Sequence, residues 1–166
     1  MNVRLTIIGP HEYSGYVTRV YNLIETLQLQ HIITTHKLIP REQLEDVYHS
    51  HDIFLFPSIW EEPFSIVLLE AMAHGLAVIA TQTGGSAEIL RDRENCVIFP
   101  PGNAEELANR IELLIHHPEL TEQIKVKAIE TIHAHYALDK IVDEIEKFLT
   151  QIIQEHPNGS YASNIQ

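Results

Sequence analysis

Glu62 and Glu70 are separated by seven residues that carry no other charge. Glu70 interrupts Ile66–Ala73, a run whose other members are all apolar. A carboxylate placed there loses hydration unless a hydrogen-bond donor replaces the water, so it needs a partner, either a protein group or a ligand. Pro63 breaks any helix before it starts, which assigns Glu62 to a loop and Glu70 to a helix that opens near Ser65. At that opening, around Ser65-Ile66, free backbone N–H groups and the positive end of the helix dipole form an anion site suited to a phosphate. Glu62 is then placed to accept from hydroxyl groups, and Glu70 from a ribose or a neighbouring strand. The spacing by itself also fits a surface Glu62 and a Glu70 that caps a neighbouring loop.

The elements that must position this pair follow from the hydrophobic pattern. Val3–Gly9, Ile32–Leu38, Asp52–Pro57, Leu76–Thr81 and Asn95–Phe99 read as short, apolar strands. Between them, Val17, Val20, Tyr21, Ile24 and Leu27 recur at helical spacing, and Pro40 opens a helix with Leu44, Val47 and Tyr48 on one face. Gly75 ends the Glu70 helix, and Ser86 is placed to cap a short one. Three helices close the chain. The first has the capping-box pair Asn103 and Glu106; the last has Ile141, Ile145, Phe148, Leu149 and Ile152 on one face. Short apolar strands alternating with helices predict an α/β fold: a doubly wound parallel, Rossmann-like sheet of about five strands with helices on both faces. One domain is expected over 1–155, with a polar, disordered tail over 156–166. In such folds ligands bind beyond the carboxyl ends of the strands, where the Ser58–Ser65 loop lies.

Composition excludes several classes. The 166 residues carry a formal net charge of -12, which disfavours nucleic acid and anionic membranes as partners. No apolar run reaches the roughly 18 residues of a membrane span, and Met1-Asn-Val-Arg-Leu-Thr lacks the order of a secretion signal, so a cytoplasmic location is expected. The single Cys96, inside an apolar strand, reads as an inert core thiol. Eleven histidines are scattered without a zinc-helix spacing, so no metal site is expected. The first strand ends in Gly9-Pro-His, without the acidic cluster by which a signalling receiver domain would hold Mg²⁺.

The full string Pro57-Ser-Ile-Trp-Glu-Glu-Pro-Phe-Ser-Ile-Val-Leu-Leu-Glu-Ala-Met-Ala-His-Gly75, continuing to Thr83-Gly-Gly-Ser-Ala-Glu-Ile-Leu90, closely resembles the retaining glycosyltransferases of family 4, also called group 1. These have GT-B architecture, with two Rossmann-like domains facing across a cleft. The resemblance covers nearly the whole chain and maps onto the C-terminal, donor-binding domain. It implies transfer of a sugar from a nucleotide-diphosphate sugar to a glycan, lipid or small-molecule acceptor, with no further cofactor. It implies that Glu62 contacts the donor sugar near the reacting centre and that Glu70 binds the ribose. It further implies that Phe64, Ser65 and Ile66 meet sugar hydroxyls and phosphate, and that Leu38 and Ile39 flank the base.

Three departures bear on these expectations. Ser65 and His36 stand where the family commonly has glycine. The family's preceding Gly-Arg-Leu…Lys-Gly segment, whose arginine and lysine hold the donor pyrophosphate, has no counterpart here. An N-terminal acceptor-binding domain is then expected as a partner, in cis or in trans, and little transfer is expected from the chain alone. The alternative is a non-catalytic nucleotide-binding or partner-binding half of a split enzyme. The same segment carries the central strand of the family order 3-2-1-4-5-6, so direct pairing of the first and third strands is expected, giving 2-1-3-4-5.

Overall fold

The computed structural model describes residues 3–9, 14–61 and 63–155. The chain divides into two compact units, Met1–Val47 and Tyr48–Gln166. In order, the elements are β1 (Leu5–Ile8), α1 (Ser14–Thr26), β2 (Ile33–His36), α2 (Arg41–His49), β3 (Ile53–Phe56), α3 (Ile66–Ala73), β4 (Ala77–Ala80), α4 (Ser86–Ile89), β5 (Val97–Ile98), α5 (Ala104–His116), α6 (Pro118–His135) and α7 (Leu138–Glu155). Every expected strand and helix is present, with ends shifted by a few residues. The expected tail over 156–166 lies outside the described residues.

In the first unit, β1 and β2 run parallel with Leu5 opposite Ile33 and Ile8 opposite His36. Helix α1 forms the crossover between them, and the Tyr21 hydroxyl meets Thr35 Oγ1 at 3.0 Å, tying that helix to β2. In the second unit, β3, β4 and β5 form a parallel sheet in that order. Among the described residues no ladder joins β1 to β3, which corrects the expected order 2-1-3-4-5 to the pair 1-2 and the triplet 3-4-5. In the family order 3-2-1-4-5-6, the strands matching β1 and β3 are each partnered by the central strand between them. Neither edge therefore has the other as its ladder partner.

The core of the second unit is built on β4, all four of whose residues are buried. Strand alternation sends Val78 and Ala80 to one face, against Phe56, Leu68, Met72, Cys96, Ala128 and Ile132. Ala77 and Ile79 go to the other face, against Val97, Phe99, Leu114 and Ile124. Burial on both faces is why β4 reads as an unbroken apolar run. Removing an aliphatic side chain of this size from water is worth roughly 1.5–3 kcal/mol.

Helix α3 enters this core through Leu68, Ala71 and Met72 and is stopped by Gly75 at φ +74°. The Gly75 N–H donates to Met72 O and the Leu76 N–H to Ala71 O, the paired bonds that close a helix on a left-handed residue. The chain thereby turns directly from α3 into β4. Asn103 caps α5, its side chain accepting from the Glu106 N–H at 3.0 Å. Ser86 differs from expectation: Gly85 is the capping residue of α4, and the buried Ser86 hydroxyl binds Thr83 instead. The helix expected with Ile141, Ile145, Phe148, Leu149 and Ile152 on one face is α7, and no residue of it is fully buried in the described structure.

Cys96 is buried in the core cluster, as its apolar flanks require. Burial pushes its thiol up to about 12 from an ordinary value of 9.0, opposed in part by a backbone hydrogen bond from Arg91. The native thiol therefore keeps its proton between about pH 9 and 12 while the unfolded thiol loses it, so its contribution to stability declines as pH rises through that window. Alkylation by iodoacetamide at pH 8 should label Cys96 only after denaturation; labelling of the native chain at the rate of the unfolded chain would contradict this burial.

Candidate nucleotide-sugar site

The loop after β3 leaves the sheet at Pro57 and reaches α3 at Ser65. Its start is held from β4. Thr81 Oγ1 makes hydrogen bonds to Phe56 O at 3.2 Å and to Ser58 O at 2.5 Å. Ser58 Oγ in turn accepts from the Trp60 N–H at 3.2 Å, which folds the loop back on itself. The middle is held from the turn after β4, where the Gly84 N–H donates to Glu61 Oε2 at 2.5 Å. Gly85 then allows the closest approach: a Cβ there would lie 1.8 Å from Pro63 O and 3.2 Å from the Phe64 ring. The pair Gly84-Gly85 thus lets the two turns at the carboxyl ends of β3 and β4 pack backbone against backbone.

At the end of the loop, Phe64 is half-buried with its ring 5.7 Å from that of Tyr136. Ser65 occupies the capping position of α3 in extended backbone, φ −99° and ψ 111°, a conformation open to any residue. Its side chain is buried and makes no capping bond. The glycine common at this position in the resembled family is therefore not required for backbone conformation here. Ile66 follows with its side chain exposed, opening the helix beside the backbone N–H groups.

Glu70 lies one turn further in and is half-buried. The donor demanded by its apolar setting is Tyr48 near the end of α2, whose hydroxyl reaches Glu70 Oε2 at 3.2 Å. Tyr48 is itself buried, stacked on the His74 ring at 4.8 Å and edge-on to Phe54 at 6.4 Å. His74 Nδ1 lies 2.7 Å from the Glu70 carbonyl oxygen, which can only accept, so that nitrogen carries the proton. Tyr48 is the candidate-site residue missed in the sequence. It reads there as one more apolar position on α2, and only its hydroxyl hinted at a polar partner.

Of the residues expected at the site, the second unit brings together Phe64, Ser65, Ile66 and Glu70 on one loop-helix junction. Glu62 lies outside the described residues. Leu38 and Ile39 lie in the first unit, on the connection between β2 and α2, with Leu38 exposed and Ile39 half-buried. Within the second unit, the site is a parallel-sheet edge of turns and a helix start with one hydrogen-bonded carboxylate, the arrangement by which α/β domains hold phosphorylated ligands.

Comparison with known proteins agrees with that class. The family described as glycosyl transferases group 1 matches residues 1–131. An uncharacterized glycosyltransferase of Methanocaldococcus jannaschii is 29% identical over 143 residues, covering 86% of this chain and 36% of that protein. The crystal structure of Anabaena HepE in complex with UDP superposes with a TM-score of 0.83 at 25% identity, over 90% of this chain and 41% of that one. The C-terminal domain of a group 1 glycosyltransferase, LpcC from Francisella tularensis, superposes with a TM-score of 0.73 at 20% identity, over 82% of this chain and 87% of that domain. The chain belongs to the group 1 glycosyltransferase family, and its fold is the Rossmann-like C-terminal domain of GT-B enzymes. It spans less than half the length of the Methanocaldococcus and Anabaena proteins.

The close approach at Gly85 yields a direct test. Gly85→Ala should displace Pro63 and Phe64 and cost about 1–3 kcal/mol, the range for overpacking a tight contact, read as a lowered midpoint in urea. An unchanged midpoint would show that the two turns do not touch.

Proposed function

We propose that this chain is the donor-binding half of a retaining glycosyltransferase that moves a sugar from a nucleotide-diphosphate sugar to an acceptor. The observation that carries the reading is Glu70, a half-buried carboxylate oriented by Tyr48 behind the opening of α3. In this reading Glu70 accepts from the ribose hydroxyls. The first-turn N–H groups at Ser65 and Ile66 meet the diphosphate, and Phe64 bounds the sugar. Glu62 contacts the donor sugar near the reacting carbon. Leu38 and Ile39 flank the base. Residues 1–155 act as one nucleotide-sugar-binding domain. The UDP complex of Anabaena HepE supports a nucleotide donor, because that protein shares this fold and family.

Chemistry at this site requires charge stabilisation as the diphosphate leaves. Lost contacts to a developing anion typically cost about 3–4 kcal/mol in the transition state. The arginine and lysine that serve this in the resembled family have no counterpart in residues 1–166. The acceptor is held by a separate N-terminal domain, in cis or in trans. No resident cofactor is required, and the donor is bound without metal, by backbone and helix dipole. Among the described residues no helix is long and apolar enough to cross a membrane. In this reading the reaction takes place in the cytoplasm.

Calorimetry with UDP, GDP and ADP tests the reading. One nucleotide should bind, with or without EDTA, and Glu70→Ala should reduce its affinity by at least tenfold. Failure of all three to bind would end the donor-site assignment. Turnover of the donor by the isolated chain should be close to background and should rise when an N-terminal half is added. Full activity without that half would refute the division of labour.

A further inference from the structure

The ring of His74, at the end of α3, is fixed on two sides. Its Nδ1–H donates to the Glu70 carbonyl at 2.7 Å, and Tyr48 stacks on its face at 4.8 Å. With Nδ1 protonated, Nε2 carries the ring's lone pair. This is the state of a metal-ligating histidine, which nearly always donates its other N–H to a carbonyl, a carboxylate or water.

His49, the last residue of α2, lies edge-on to that ring, with centroids 5.3 Å apart and an interplanar angle of 69°. Edge-on packing of two imidazoles is by itself an ordinary contact. A third donor distinguishes this one. Glu45 stands four residues before His49 on the same unbroken helix, so helix geometry puts both on one face. One ligating atom from each of Glu45, His49 and His74 lies within 4.8 Å of the others. Tetrahedral zinc, with bonds of about 2.0–2.1 Å, needs ligand atoms about 3.3 Å apart. Glu45 and His49 are exposed, so a change of rotamer closes that gap while the half-buried His74 stays fixed.

The donor set selects the ion. Two imidazole nitrogens and one carboxylate oxygen suit zinc, whereas magnesium and calcium prefer oxygen alone. The local field favours a cation: α2 also carries Glu42 and Asp46 against the single Arg41, in a chain of net charge -12. A search of the sequence for paired histidines on one helix misses the site. One helical ligand is a carboxylate, and the third ligand comes from the end of the next helix.

We propose that His49 and His74, completed by Glu45, bind one zinc ion that joins the end of α2 to the end of α3. The ion makes and breaks no bond. Its ligands are separate from Phe64, Ser65, Ile66 and the Glu70 side chain, so donor binding as read above does not run through it. Its role is structural: it holds the ring on which Tyr48 stacks.

The test uses the full chain, stripped of metal with EDTA and then freed of EDTA. Zinc chloride is titrated in competition with the chelating dye mag-fura-2. One equivalent of zinc should be withheld from the dye, and saturating zinc should raise Tm by about 3 °C or more. Magnesium and calcium at the same concentration should do neither. In 1H–15N spectra of the histidine rings, His49 and His74 should shift with zinc, while His133 and His135, exposed on α6, should not. His49→Ala and Glu45→Gln, both at exposed positions, should each weaken zinc about tenfold or more and remove the rise in Tm. Their Tm in EDTA should match the wild type, and His133→Ala should bind zinc as the wild type does. No zinc withheld from the dye would overturn the proposal. So would wild-type affinity in His49→Ala, which would place the ion on other histidines, and so would magnesium binding as tightly as zinc.

Discussion

Where the turn after β4 meets the loop after β3, the carbonyl of Pro63 occupies the space that a side chain on Gly85 would take. That backbone-to-backbone approach, with the Gly84 N–H on Glu61 and the Thr81 hydroxyl on two carbonyls, determines the path of the chain from Phe56 to Ser65. The direction in which α3 starts, the exposure of Ile66 and the presentation of Ile59 and Trp60 all depend on it. Three polar contacts and one missing methyl group hold a loop that has few buried side chains of its own. Tethering of this kind gives a binding loop the precision of the sheet beneath it.

A second constraint acts from the helix side. α3 must bury Leu68, Ala71 and Met72 against β4, which sets its rotation about its axis. Glu70 falls on the turn between these anchors and has no choice but to stand partly within protein. Tyr48 supplies the donor that makes this tolerable, and His74 supports Tyr48 by stacking. The carboxylate is thus oriented by protein groups alone, and in the proposed donor reading that lowers the ordering cost of binding.

The sequence and the structure disagree where a neighbour decides the outcome. Ser86 has the residue type of a cap, but Gly85 precedes it in helical conformation and takes that place, leaving the Ser86 hydroxyl to bind Thr83. The β1–β3 pairing expected from the family strand order is absent among the described residues, where β1 pairs with β2 and β3 with β4. The stripe on α7 is written plainly in the sequence, yet within the described residues it covers nothing completely. A hydrophobic face specifies that a helix wants a partner, not where the partner is.

What the sequence determined by itself is local and periodic. The apolar runs of the strands, Pro63 before α3, Gly75 after it and Asn103 before α5 are each read from one or a few neighbouring residues, because backbone sterics and capping act over that range. The string from Pro57 to Gly75 also sufficed to mark the family. Tertiary structure alone decided that Tyr48 partners Glu70, 22 positions away, and that Gly85 admits Pro63, also 22 positions away. It alone decided that Trp60 is held in place rather than loose. These depend on which turns the parallel sheet brings side by side, and parallel neighbours are joined only through a crossover, so their contacts leave no short-range signature in the chain.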